Sequence, residues 1–94
     1  MNTNNIKTYS SILNDAEKSI TEKDRKAFEL SYNISERIYN ILNKKGMTKK
    51  ELAIKTGKKE SEISRWLSFG HNFTCKTLTL ISNALGEEII QVVK

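Results

Sequence analysis

The chain has 94 residues, with 16 Lys/Arg against 11 Asp/Glu, which makes one small basic domain. A chain this size buries only about 60% of its unfolded surface, so a dimer or a bound partner is expected to complete its stability. A single cysteine and no proline exclude an internal disulfide and a cysteine-based zinc site and favour helices joined by short turns. No apolar run approaches membrane-spanning length, and Met1 precedes polar residues rather than a signal peptide, so a cytoplasmic protein is expected.

The first element is a helical stripe. Ile6, Tyr9, Leu13, Ala16 and Ile20 recur at spacings of three and four. Thr21 is suited to cap a second, long helix with Asp24 in the capping-box position. Ala27, Leu30, Ile34, Ile38, Ile41 and Leu42 line one face of it, with Phe28, Tyr32 and Tyr39 beside them. Gly46 stops this helix after Lys44 and Lys45. Residues 1–22 are therefore taken as an amphipathic arm and residues 23–94 as the main domain.

Thr48 with Glu51 forms a capping box for the next helix, whose inward residues are Leu52, Ala53 and Thr56 and whose end is Gly57. A short helix follows over roughly 60–67. Thr74 caps another, with Leu78, Ile81, Ala84 and Leu85 inward and Gly86 closing it. The last segment, "EEIIQVV", is rich in β-branched residues and is the one credible strand.

The charge is concentrated. Residues 44–76 hold nine Lys/Arg against three Glu, a local +6, while the remainder carries about −1. A lysine-rich surface serves solubility, but confinement to one segment points to a polyanionic partner. Within that segment the 60–67 helix divides cleanly. At about 100° per residue from Glu60, Ser64, Ser61 and Arg65 fall near 40°, 100° and 140°. Trp66, Ile63 and Leu67 fall near 240°, 300° and 340°. One face is apolar and the other carries two hydroxyls, a carboxylate and a guanidinium. Two short helices about a glycine turn, the second with such a face, make a helix-turn-helix whose second helix enters the DNA major groove. Serine lets the backbone approach the bases, and arginine reaches guanine O6 and N7 with two bonds.

"MTKKELAIKTGKKESEISRWLSFGHNFTCKTLTLISNALG" resembles the helix-turn-helix of Xre/Cro-type, lambda-repressor-like transcriptional regulators. The resemblance lies in "KELA", Gly57 and "SEISRWLSFG" and covers about residues 33–86. It implies an all-α bundle of about five helices with a short C-terminal strand. "GHNFT" and the terminal strand look most like antitoxins of the HigA type, which neutralise a RelE-like ribonuclease toxin and repress their shared operon. Carried over, the resemblance implies that Glu60, Ser61, Ser64 and Arg65 face base edges, and that Thr48, Lys49, Lys59, His71 and Asn72 contact phosphates. Two positions depart from the family. Lys59 stands where a small capping residue is usual. Glu60 stands where glutamine is frequent, and it repels phosphate while accepting from cytosine N4.

Competing readings are plainer. Trp66 falls with Ile63 and Leu67 and reads as core. His71 has no partner at metal-ligand spacing, so no metal is expected. Cys75 reads as a small buried residue, and Lys58 as solvated. No catalytic constellation, cofactor site or small-molecule substrate is indicated. A lone strand cannot satisfy its own backbone. Ile89, Ile90, Val92 and Val93 are therefore expected to pair with a second copy, giving a two-fold homodimer for a palindromic operator. Ile6, Tyr9 and Leu13 either pack on the long helix or form an arm that anchors a toxin.

Overall fold

The computed structural model describes residues 21–68 and 70–94, and the Ile6–Ile20 stripe lies outside them. Four helices run in order among the described residues: α1 (Glu22–Lys45), α2 (Lys49–Thr56), α3 (Glu60–Trp66) and α4 (Cys75–Leu85). None of them is long and apolar enough to cross a membrane.

The chain's local chemistry sets most of these boundaries. Thr21 starts α1 by accepting from the Asp24 N–H at 3.1 Å. Glu22 and Asp24 in its first turn and Lys44 and Lys45 in its last complement the helix dipole. Thr48 starts α2 with both halves of the capping box in place, and Thr74 starts α4 by accepting from the Thr77 N–H. Gly46, Gly57 and Gly86 end α1, α2 and α4 in the left-handed conformation. Gly57 matters most here, because the turn to α3 is only residues 57–59 and requires a φ of +72° at its first position.

One core joins all four helices. Ile34, Ile38, Ile41 and Leu42 of α1 meet Leu52 and Ala53 of α2, Ile63 and Trp66 of α3, and Leu78, Ile81 and Leu85 of α4. Met47, Leu67, Phe73 and Ala84 pack around its rim. Trp66 is 1% exposed, and it fills this core as the apolar face of α3 requires.

Three sequence expectations change. The stripe on α1 does not stay inward, since Ala27 is exposed and Leu30 is 56% exposed. Periodicity dictates which side of a helix is apolar, not how far the neighbouring helices reach along it. The first turns of α1 overhang the core. Cys75 likewise extends the α4 stripe at a spacing of three, yet it is exposed because it opens the helix.

The third change is at the C-terminus, where residues 87–94 form no strand among the described residues. The segment instead finds its partners on the helices. The Arg37 guanidinium donates to the Glu88 carbonyl at 2.9 Å, and the Ile89 N–H donates to Ser82 Oγ at 3.4 Å. The Glu87 carboxylate lies 2.9 Å from Lys44 Nζ, 3.5 Å from Lys45 Nζ and 3.6 Å from Arg37. The hydrogen bond from Lys44 holds the Glu87 carboxyl below its ordinary range. Ile89 is drawn into the core at 7% exposure, so it is a core residue of its own chain. Ile90, Val92 and Val93 remain outside, with Val93 96% exposed.

Candidate nucleic-acid interface

The helix-turn-helix unit is α2, the turn at 57–59, and α3. α2 packs against both α3 and α4, and Leu52, Ala53, Ile63 and Trp66 seal the inner side of the pair. On the outer side of α3, Glu60, Ser61, Ser64 and Arg65 are all exposed. The division computed from helical geometry is the division observed. Burial of Ile63 and Trp66 fixes which face turns outward, and the four polar residues follow from their spacing.

Lys49, at the start of α2, leans toward this face. Its Nζ donates to Ser64 Oγ at 3.5 Å, which puts an ammonium group beside an exposed hydroxyl of the neighbouring helix. Arg65 lies one residue further along, and no carboxylate among the described residues forms an ion pair with it. An exposed guanidinium without an ion pair, on the same helix as a serine that meets an ammonium, suits an anionic, hydrogen-bonding ligand.

Thr48 is arranged differently. Its hydroxyl accepts from the Glu51 N–H at 3.1 Å and donates to Glu51 Oε1 at 3.1 Å, while its own N–H donates to the same oxygen at 3.0 Å. These bonds, the one from the Thr48 backbone foremost, hold the Glu51 carboxyl below its ordinary range. The Thr48 proton is therefore committed to the capping box, and a phosphate arriving there must compete with Glu51. Lys59 supplies no side-chain cap to α3 and is exposed, which leaves its ammonium available. After α3, His71 is half-buried against Phe73 with ring centroids 4.6 Å apart, edge to face, and Asn72 is exposed.

The charge of the interface is smaller than the sequence count. Lys44 and Lys45 belong to the basic stretch, but both face Glu87. Lys49, Lys50, Lys55, Lys58, Lys59, Arg65 and Lys76 remain, all exposed. Lys58 and Lys76 line one open groove of about 550 Å³ with Thr77, Leu80 and Asn83, a pairing that sequence spacing does not reveal.

Sequence reasoning also missed Ser35. This α1 residue is 6% exposed and donates its hydroxyl to the Trp66 carbonyl at 2.7 Å, with the Ser68 carbonyl 3.3 Å away. Higher on the same face of α1, the Phe28 ring lies beside Gly70, where a Cβ would stand 3.6 Å from it and where a φ of +75° favours glycine. The far end of α3 and its exit loop are thus seated on α1. Among the described residues no three His, Cys, Asp or Glu side chains are grouped to hold a metal.

The model of a protein family described as helix-turn-helix matches residues 38–91, more than half of the chain. No curated protein matches the chain, and no solved structure does.

Proposed function

The chain belongs to the helix-turn-helix family, that of Xre- and lambda-repressor-like DNA-binding transcription regulators, and on that premise we propose that it is a dimeric, sequence-specific repressor that also serves as the antitoxin of a toxin–antitoxin pair. The observation that carries the repressor reading is the exposed face of α3, where Ser61, Ser64 and Arg65 stand over a buried Ile63 and Trp66. In this reading Arg65 pairs with guanine in the major groove, Ser61 and Ser64 let the helix sit close, and Glu60 accepts from cytosine N4. Lys49, Lys59, His71 and Asn72 contact phosphates and set the register, and Thr48 contributes through its backbone position. The exposed Ile90, Val92 and Val93 support pairing of two copies through their C-terminal segments. A two-fold dimer then spans half-sites about 34–36 Å apart.

The antitoxin role rests on the apolar stripe of Ile6, Tyr9 and Leu13, which offers a partner helix-like anchors. A stand-alone repressor is the same protein without that partner. A protein-interaction module without DNA binding is the third possibility, and Glu60 and Glu62 on α3 favour it by repelling phosphate.

One titration separates DNA binding from its absence. Affinity for duplex DNA from upstream of the gene, measured against salt, is expected to give a log–log slope of about −5 to −9 for a dimer making 6–10 phosphate contacts. A flat response defeats the repressor reading. Co-purification with the product of the adjacent gene tests the antitoxin role. Deleting residues 1–20 is expected to abolish that co-purification and spare DNA binding. Retained co-purification, or a deleted protein that no longer folds, defeats the arm.

A further inference from the structure

The four helices are not terminated alike. α1, α2 and α4 each begin on a threonine whose hydroxyl accepts a first-turn N–H and end on a left-handed glycine. α3 has neither. Lys59 makes no capping bond, and Leu67 closes the helix with φ −93°. Seven residues are also well short of the roughly 12–15 that give an isolated helix marginal stability. α3 therefore holds its place through what surrounds it.

Ile63 and Trp66 hold it laterally, but apolar contact is non-directional and leaves rotation and axial slide loosely determined. The directional hold is at the other end. The Ser35 hydroxyl reaches from the middle of α1 to the carbonyl of Trp66, the last residue of α3, and shares its proton with the Ser68 carbonyl. The Ser68 hydroxyl in turn donates to the Arg65 carbonyl at 2.6 Å, and the Ser68 N–H donates to it at 3.1 Å. The chain of bonds runs from α1 to the backbone of the residue that carries the guanidinium.

We propose that Ser35 is a positioning residue for base recognition, setting the rotation and axial position of the last turn of α3 from which Arg65 projects. The proposal rests on the repressor reading above and adds the element that aims it. Two-bond recognition of guanine tolerates errors of about 0.5 Å and 10–20°. Attraction to phosphate falls off slowly with distance. Loss of the Ser35 bond therefore costs discrimination between sequences rather than adhesion to DNA.

The test uses the full chain, the duplex it selects from a random library, and a scrambled duplex of equal length and composition. S35A is expected to remain folded by circular dichroism and to lower the ratio of the two affinities about two- to twelvefold, the worth of one net hydrogen bond. Its salt slope on the scrambled duplex stays that of the parent. S35T, which keeps the hydroxyl, restores the ratio. G46A is the control for stability alone, since a Cβ there meets nothing within 4 Å and only strains a φ of +64°. It is expected to lower the thermal midpoint and leave the ratio intact. Amide exchange over residues 63–68 should quicken in S35A relative to the α1 core. A ratio unchanged in S35A, or lowered equally in G46A, overturns the proposal. A parent chain that selects no sequence at all overturns the base-reading function, and the role of Ser35 with it, before any variant is made.

Discussion

Replacing Arg65 with alanine separates a reader of bases from a contact to the backbone. Arg65 is exposed on α3 and forms no ion pair among the described residues, so R65A should change folding stability by no more than about 0.5 kcal/mol. The Ser68 hydroxyl and N–H both donate to the Arg65 backbone carbonyl, so these bonds survive the change. On DNA, a bidentate guanine contact gives about 1–3 kcal/mol of discrimination per half-site, or roughly 5- to 150-fold, and a dimer makes the contact twice. The assay is fluorescence anisotropy on the selected duplex and on its single-base-pair variants, each at several salt concentrations. The parent should discriminate sharply at one base pair per half-site, and R65A should bind all variants at that pair alike while its salt slope holds. The reasoning fails if R65A weakens every duplex equally and its slope drops by about 0.9 per site, the mark of a lost phosphate contact.

Other consequences follow from the core, the termini and the carboxylates. I63A removes most of a fully buried side chain from beneath the outward face of α3 and should cost about 2–5 kcal/mol. Thermal unfolding should then begin at least about 8 °C lower, and an unchanged midpoint would contradict the packing described. Glu51 and Glu87 both have carboxyls held below the ordinary value of 4.5. Their contribution is thus fully present above pH 4.5 and is lost as pH falls through the lower folded values. Urea midpoints of the parent should drop on going from pH 6 to pH 3, and E87Q should show a shallower drop; equal drops would count against the Lys44 contact. Ending the chain after Ile89 keeps the core residue and removes Ile90, Val92 and Val93. Sedimentation should then show a monomer, and a dimer of undiminished strength would place the interface elsewhere.

The helix-turn-helix was legible because its determinants are local. Thr48 with Glu51, Gly57 and the alternation of Ile63 and Trp66 with Ser61, Ser64 and Arg65 lie within nineteen consecutive positions, and each follows from capping or helical spacing. What escaped is what depends on distant residues. Ser35 looks like any small polar residue on a helix until Trp66, 31 positions away, is brought against it. Lys44 and Lys45 looked like free cations until Glu87 arrived from the other end of the chain. The terminal "EIIQVV" has the composition of a strand, but a strand is a relation between two segments. This chain alone answers its backbone with Arg37 and Ser82 instead.

The lack of a threonine cap and of a terminal glycine on α3 has a consequence for how such a protein changes its target. Since neighbouring elements impose the shape of this rod, its outer residues are relieved of any duty to keep it helical. Apart from the long reach of Lys49 to Ser64, positions 60, 61, 64 and 65 are at liberty to vary. New side chains grafted there should inherit the same pose, so that, if these four positions read the operator as proposed, four substitutions exchange its preference while the scaffold stays as it was.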